Sequence, residues 1–127
     1  MLSASGARLF VATSKNESDA RRILEHFDLA RHFECIHGAE ADGGRADKSE
    51  LLAYVLKCES LVARRDPIAM IGDRKFDAIG AKHVGIAAIG ALWGYGGAEE
   101  LKAAGADPLV EAPRGVPGAV ARVFARV

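Results

Sequence analysis

The chain has 127 residues, about enough for one domain, and half of them are hydrophobic, which excludes a disordered or fibrous polymer. Lys plus Arg and Asp plus Glu each number 17. The formal charges cancel, so there is no global attraction to nucleic acid or anionic lipid, and any anion site must be local.

Cys35 and Cys58 are too few for a disulfide framework and are expected to be free thiols packed as small hydrophobes in a reducing compartment. No apolar run approaches the roughly 18 residues of a membrane span. The segment Met1–Arg8 lacks the basic and apolar regions of a signal peptide, so a cytoplasmic protein is expected. The sequence contains 24 alanines and 14 glycines, small residues that let helices lie close on a sheet.

The first apolar run, Leu9–Ala12, reads as a strand buried on both faces, leading into Thr13-Ser14-Lys15-Asn16. Gly6 ahead of it has the character of a helix terminus, which leaves few residues for any helix before it. Asn16 or Ser18 caps a helix whose apolar positions are Ala20, Ile23, Leu24 and Phe27. Phe33–Ile36 is a second strand, followed by a polar loop from Gly38 to Arg45. Asp47 is a good N-cap for a helix from Lys48 to about Glu59, with Leu51, Leu52, Val55 and Leu56 as its core stripe. Ile68–Ile71 is the third strand, ended by Gly72-Asp73. A helix from about Phe76 to His83 stops at Gly85, before a fourth strand at Ile86–Ile89. Gly94–Gly97 reads as a mobile loop, with Trp93 and Tyr95 packed beside it or, as the lesser alternative, in contact with a ligand, followed by a helix from Ala98 to Ala104. Leu109-Val110 forms a short fifth strand, and Val116 or Pro117 to Val127 a helical tail. The alternation predicts one α/β domain over residues 1–127, a parallel sheet with helices on both faces.

In such sheets ligands sit beyond the carboxyl ends of the strands. Thr13, Ser14, Lys15 and Asn16 follow the first strand, and Asp73 and Asp77 follow the third; Lys48 opens the helix between. Asp73 and Asp77 are two hard oxygen ligands suited to Mg²⁺, and equally a turn residue and a helix-start residue. Lys48 sits against the helix dipole, a local conflict of the kind found at functional sites; a solvated surface lysine is the other reading. The Thr13 hydroxyl and the amides after it suit an anion or an ordinary cap. The four histidines, Cys35 and Cys58 match no metal spacing. Ser14 lacks a nucleophile elbow, and the glycines at 94–97 lack the Walker lysine and the Rossmann spacing.

The order Val11-Ala12-Thr13-Ser14-Lys15, then Arg45-Ala46-Asp47-Lys48-Ser49-Glu50, then Met70-Ile71-Gly72-Asp73-Arg74-Lys75-Phe76-Asp77 resembles the haloacid dehalogenase-like hydrolases. Within them it resembles the phosphoglycolate-phosphatase-like branch. Gly80-Ala81, Gly85-Ile86 and Leu92–Gly96 continue the likeness. It implies a three-layer Rossmann-like core and a Mg²⁺-dependent phosphomonoesterase acting on a small phosphorylated substrate. Thr13 would hold the phosphoryl group with Ser14 and Lys15 beside it, Lys48 would pair with the phosphate, and Asp73 and Asp77 would hold Mg²⁺ directly and in support. Lysine and metal together neutralise charge on the phosphoryl oxygens. The family's first motif, Asp-x-Asp-x-Thr with the nucleophilic aspartate, does not occur in this sequence. The resemblance therefore implies a partial core without the central strand or the cap, inactive alone. A homodimer or a rearranged sheet is expected to satisfy the strands on either side of the gap. A non-enzymatic domain binding phosphate, metal or a partner is the alternative. A receiver-type phosphorylation domain is disfavoured, because the lysine precedes the acidic pair.

Overall fold

The computed structural model of the chain describes residues 6–40, 42–45 and 47–125. The residues ahead of Gly6, Ala46 of the quoted motif and the last two residues of the helical tail lie outside these. The chain divides into two compact units, residues 1–55 and 56–127, with the boundary inside a helix.

Unit 1 is built on β1 (Phe10–Asn16) and β2 (Cys35–Ala39), paired in parallel. The crossover between them is α1 (Glu17–His26) and a single 3₁₀ turn at Ala30–His32. Asn16 starts α1 by accepting hydrogen bonds at its side-chain oxygen from the amides of Ser18 (3.0 Å) and Asp19 (3.3 Å). Asp28 ends the segment with a φ of 56°, in the left-handed region. Only part of the predicted apolar face of α1 is covered: Ala20 is buried, whereas Ile23 and Phe27 are exposed. A two-stranded sheet is too narrow to cover a full helical stripe. α2 (Lys48–Cys58) is capped by Asp47, whose carboxylate accepts the amide of Glu50 at 3.1 Å, and buries Leu51, Leu52 and Val55.

β1 runs four residues beyond its predicted end. Ala12 pairs with His37, and Asn16 with Ala39, so four steps along β1 span two along β2. Thr13, Ser14 and Lys15 lie in the resulting bulge, not in a loop after the strand. Gly38 permits it: a Cβ there would stand 2.7 Å from both the Lys15 carbonyl oxygen and the Glu17 Cα.

Unit 2 holds β3 (Ala69–Gly72), β4 (Ala87–Ala91) and β5 (Leu109–Val110) in a parallel sheet of that order. α3 (Lys75–Val84) crosses from β3 to β4 and ends at Gly85, whose φ of 83° supplies the left-handed terminus. α4 (Ala98–Ala103) crosses to β5, and α5 (Val116–Ala125) closes the described chain. Leu101 is fully buried among Ala78, Ala106, Ala88, Leu92, Ala104 and Leu109. Small residues bring the layers close: a Cβ on Gly90, in β4, would lie 3.2 Å from Cδ1 of Leu101, in α4.

Among the described residues β1 has one ladder partner, β2, and β3 has one, β4. The parallel α/β class is as expected. Cys58 is exposed and Cys35 half-buried, so the expectation of two packed thiols fails for Cys58. No helix among the described residues is long and apolar enough to cross a membrane.

Candidate functional site

Thr13, Ser14, Lys15 and Lys48 belong to unit 1, and Asp73 and Asp77 to unit 2.

In unit 1 the bulge follows Ala12, and within it the Thr13 hydroxyl oxygen accepts the Lys15 amide at 3.2 Å. Lys48 is the first residue of α2, yet its side chain reaches β1 just before the bulge, where Nζ donates to the Ala12 carbonyl at 3.0 Å. The lysine is thereby anchored one residue from Thr13. Thr13 and Lys48 are half-buried, whereas Ser14 and Lys15 are exposed. A hydroxyl, an ammonium and the bulge amides within β1 form a donor-rich place for an anion.

Arg45 organises the loop before α2 and was not singled out by the sequence. It has a φ of 63° and donates to the Gly38 carbonyl at 3.2 Å. It also pairs with Glu40 at 2.5 Å and Glu17 at 3.7 Å, and lies 4.2 Å from the Tyr54 ring centre. Its own sequence neighbours give no sign of this. Its partners come from α1, from β2 and the residue after it, and from α2.

In unit 2 both predicted carboxylates stand at the carboxyl end of β3. Asp77 lies in the first turn of α3 and accepts the Arg74 amide at Oδ2, 3.2 Å away. A Cβ on Gly72 would overlap that carboxylate, so the glycine is the cradle in which Asp77 lies. Asp73 accepts the Tyr95 amide at Oδ2 (2.9 Å), and its main-chain carbonyl accepts the Gly96 amide (2.8 Å). The loop between β4 and α4, expected to be mobile, is thus tied to Asp73 by two hydrogen bonds. Its aromatic residues are not packed as expected, for Trp93 is 46% exposed and Tyr95 93%. Gly94 and Gly96 are required by the contact, because a Cβ on either would overlap Asp73. Glu100, in α4, completes this set: Oε2 accepts Arg74 Nε at 3.0 Å and the Lys75 amide at 2.9 Å. The Arg74 hydrogen bond, with the Lys75 amide, holds the Glu100 carboxyl below its ordinary range.

Two half-buried carboxylates at one strand end, one seated over a glycine that leaves room for it, are hard oxygen donors of the kind Mg²⁺ takes, and they fit that ion.

Comparison with known proteins places this architecture. Over 98 residues the chain is 46% identical to a 5'-nucleotidase of Pseudomonas aeruginosa, a match that covers 77% of this chain and 43% of the relative. It has the same identity over 98 residues to the tyrosine-protein kinase PtkA of Mycobacterium tuberculosis, covering 77% of this chain and 33% of that protein. Phosphoglycolate phosphatases are among its more distant relatives. The crystal structure of a predicted phosphatase from Clostridium acetobutylicum superposes with a TM-score of 0.86 at 35% identity, over 98% of this chain and 55% of that one. The chain therefore spans about half the length of the proteins it matches, or less. The family model for haloacid dehalogenase-like hydrolases matches residues 1–91, from before β1 through β4, and the chain belongs to that family.

Proposed function

We propose that the chain carries the phosphate-binding and Mg²⁺-binding residues of a phosphomonoesterase acting on a small phosphate ester. The observation that carries this reading is the anchoring of Lys48 Nζ on the Ala12 carbonyl beside Thr13. It brings a fixed cation and a hydroxyl together at the β1 bulge, the donors that a phosphoryl group requires. Thr13 then donates its hydroxyl to a phosphoryl oxygen, Lys48 neutralises part of its charge, and Ser14 and Lys15 border the bulge. Asp73 would hold Mg²⁺ and Asp77 would support it; such an ion supplies charge neutralisation on transferring phosphoryl oxygens.

The sequence contains no Asp-x-Asp-x-Thr, so the attacking carboxylate is not among these residues. The same fact favours a second reading, a domain that binds phosphate and metal without turnover. Calorimetric titration with Mg²⁺ and inorganic phosphate, run beside an assay with p-nitrophenyl phosphate, separates them. Binding of both ligands without turnover is expected. Turnover that disappears in Asp73→Ala would show the chain complete for catalysis, and absence of all binding would overturn both readings.

The uncharged edge of β3, Ala69–Gly72, lacks the lysines, prolines and bulges that protect sheet edges. A second copy of the chain supplying a strand to that edge would satisfy its ladder. Sedimentation analysis tests this: a monomer at all concentrations refutes a homodimer.

A further inference from the structure

Arg74, the 92–97 loop and Glu100 hold neither the phosphate nor the metal proposed above. Glu100 is remote from Asp73 in sequence and does not touch it, but one carboxylate oxygen receives both the side chain of Arg74 (3.0 Å) and the main-chain amide of Lys75 (2.9 Å). Those are the two residues between Asp73 and the rest of α3. Asp77 takes the Arg74 amide from the other side, at 3.2 Å. The route back to Asp73 runs through the loop, since the Tyr95 and Gly96 amides donate to its carboxylate and carbonyl, and α4, which carries Glu100, begins at Ala98. A closed circuit results, from Asp73 through Arg74 and Lys75 to Glu100, and through the loop back to Asp73. The glycines show how tightly it is fitted: a Cβ on Gly96 would overlap the Asp73 carbonyl and stand 2.7 Å from Glu100 Oε2.

From this circuit we propose that Glu100 is a positioning residue for the acidic turn, fixing the orientation of Asp73 and Asp77 toward a divalent cation and coupling that turn to the loop at Leu92–Gly97. The inference rests on the assignment of Asp73 and Asp77 as the Mg²⁺ residues. Glu100 acts through hydrogen-bond geometry and not through its charge near the ion. A neutral side chain of the same length that still accepts two hydrogen bonds should preserve the function, and a charged but shorter one should not. Partners that orient metal-holding groups change metal affinity by about 10- to 100-fold when removed.

The test uses Glu100→Gln, Glu100→Asp and Glu100→Ala in the full chain. Mg²⁺ affinity is measured by calorimetry, and amide hydrogen exchange at Lys75, Tyr95 and Gly96 is measured without metal. Glu100→Gln is expected to keep Mg²⁺ affinity within about threefold of the parent, and Glu100→Asp and Glu100→Ala to lose about tenfold or more. Exchange at the three amides is expected to accelerate in Glu100→Ala and Glu100→Asp, and to stay near the parent rate in Glu100→Gln. Equal losses in Glu100→Gln and Glu100→Ala, with Glu100→Asp retained, would mean that only charge matters and would overturn the proposal. Unchanged affinity in Glu100→Ala would also overturn it. If the parent chain binds no Mg²⁺, the metal reading itself fails. Accelerated exchange in Glu100→Ala would then still establish the circuit as a structural device, and unaccelerated exchange would refute the circuit as well.

Discussion

Leu101 is the residue whose removal should cost unit 2 most. It is fully buried, and much of its surrounding is alanine: Ala78 on α3, Ala88 on β4, and Ala104 and Ala106 after α4. Truncation to alanine removes three side-chain carbons, and the cost depends on whether the walls can close on the cavity. Here they cannot follow easily. Alanine side chains have no rotamers to swing inward, and Gly90, whose added Cβ would stand 3.2 Å from Leu101 Cδ1, shows that the backbones are already in close approach. The expected loss is therefore in the upper part of the range for such substitutions, about 3–5 kcal/mol. That corresponds to a fall in melting temperature of about 10 °C or more for a chain of this size. Denaturant unfolding followed by far-ultraviolet circular dichroism gives the free energy directly. A loss below about 2 kcal/mol would show that the α4 wall relaxes, and the argument from alanine rigidity would fail.

The remaining expectations concern single positions. Gly38→Ala forces a Cβ to 2.7 Å from two backbone atoms, neither of which can swing aside; unfolding experiments should show a loss of about 1–3 kcal/mol or more. Gly72→Ala displaces the Asp77 carboxylate, so Mg²⁺ titration should show weakened binding with the fold retained by circular dichroism. Gly118→Ala lies inside α5 with nothing within 4 Å of the new Cβ, and it should stabilise the chain by about 0.5–1 kcal/mol in the same unfolding assay. Lys48→Ala should weaken phosphate binding by about ten- to a hundredfold in calorimetry, the value of one charged hydrogen bond. The Glu100 carboxyl is held below its ordinary value of 4.5. Its charge-dependent contribution to stability is therefore present above that value and lost as pH falls through the depressed one, so any stability advantage of the parent over Glu100→Gln in denaturant unfolding should close in acid.

The strands and helices were legible in the sequence because their signals are local. Continuous apolar runs such as Ile68–Ile71, and stops such as Gly85, act within a few residues. The places where the reading slipped are those decided at a distance. The bulge at Thr13–Lys15 depends on the register against His37 and Ala39, which no local pattern in β1 contains. The outer half of the α1 stripe looked like core because Ile23 and Phe27 have helical spacing, but spacing does not reveal how wide a sheet lies beneath them. The candidate residues Lys48, Asp73 and Asp77 could be named because each lies at or beside an element end, and Thr13 because it follows the apolar run Leu9–Ala12 directly. Glu100 could not, since its partners lie 25 and 26 residues away.

The glycines link these two kinds of information. Gly72, Gly94 and Gly96 each occupy a place where a Cβ would overlap Asp73 or Asp77. In the sequence Gly94 and Gly96 read as permission to move; in the structure they are the space into which a carboxylate-bearing turn fits. Their small size lets Asp73 accept a loop amide at its carboxylate and another at its carbonyl, and lets Asp77 fold over β3. A Gly-rich segment after a strand can thus be rigid where polar groups meet its backbone at short range, and mobile only where nothing does. Enlarging any one of the three should disturb the acidic turn before it disturbs the sheet, since the atoms in the way are those of Asp73, Asp77 and Glu100 and not those of the hydrophobic core.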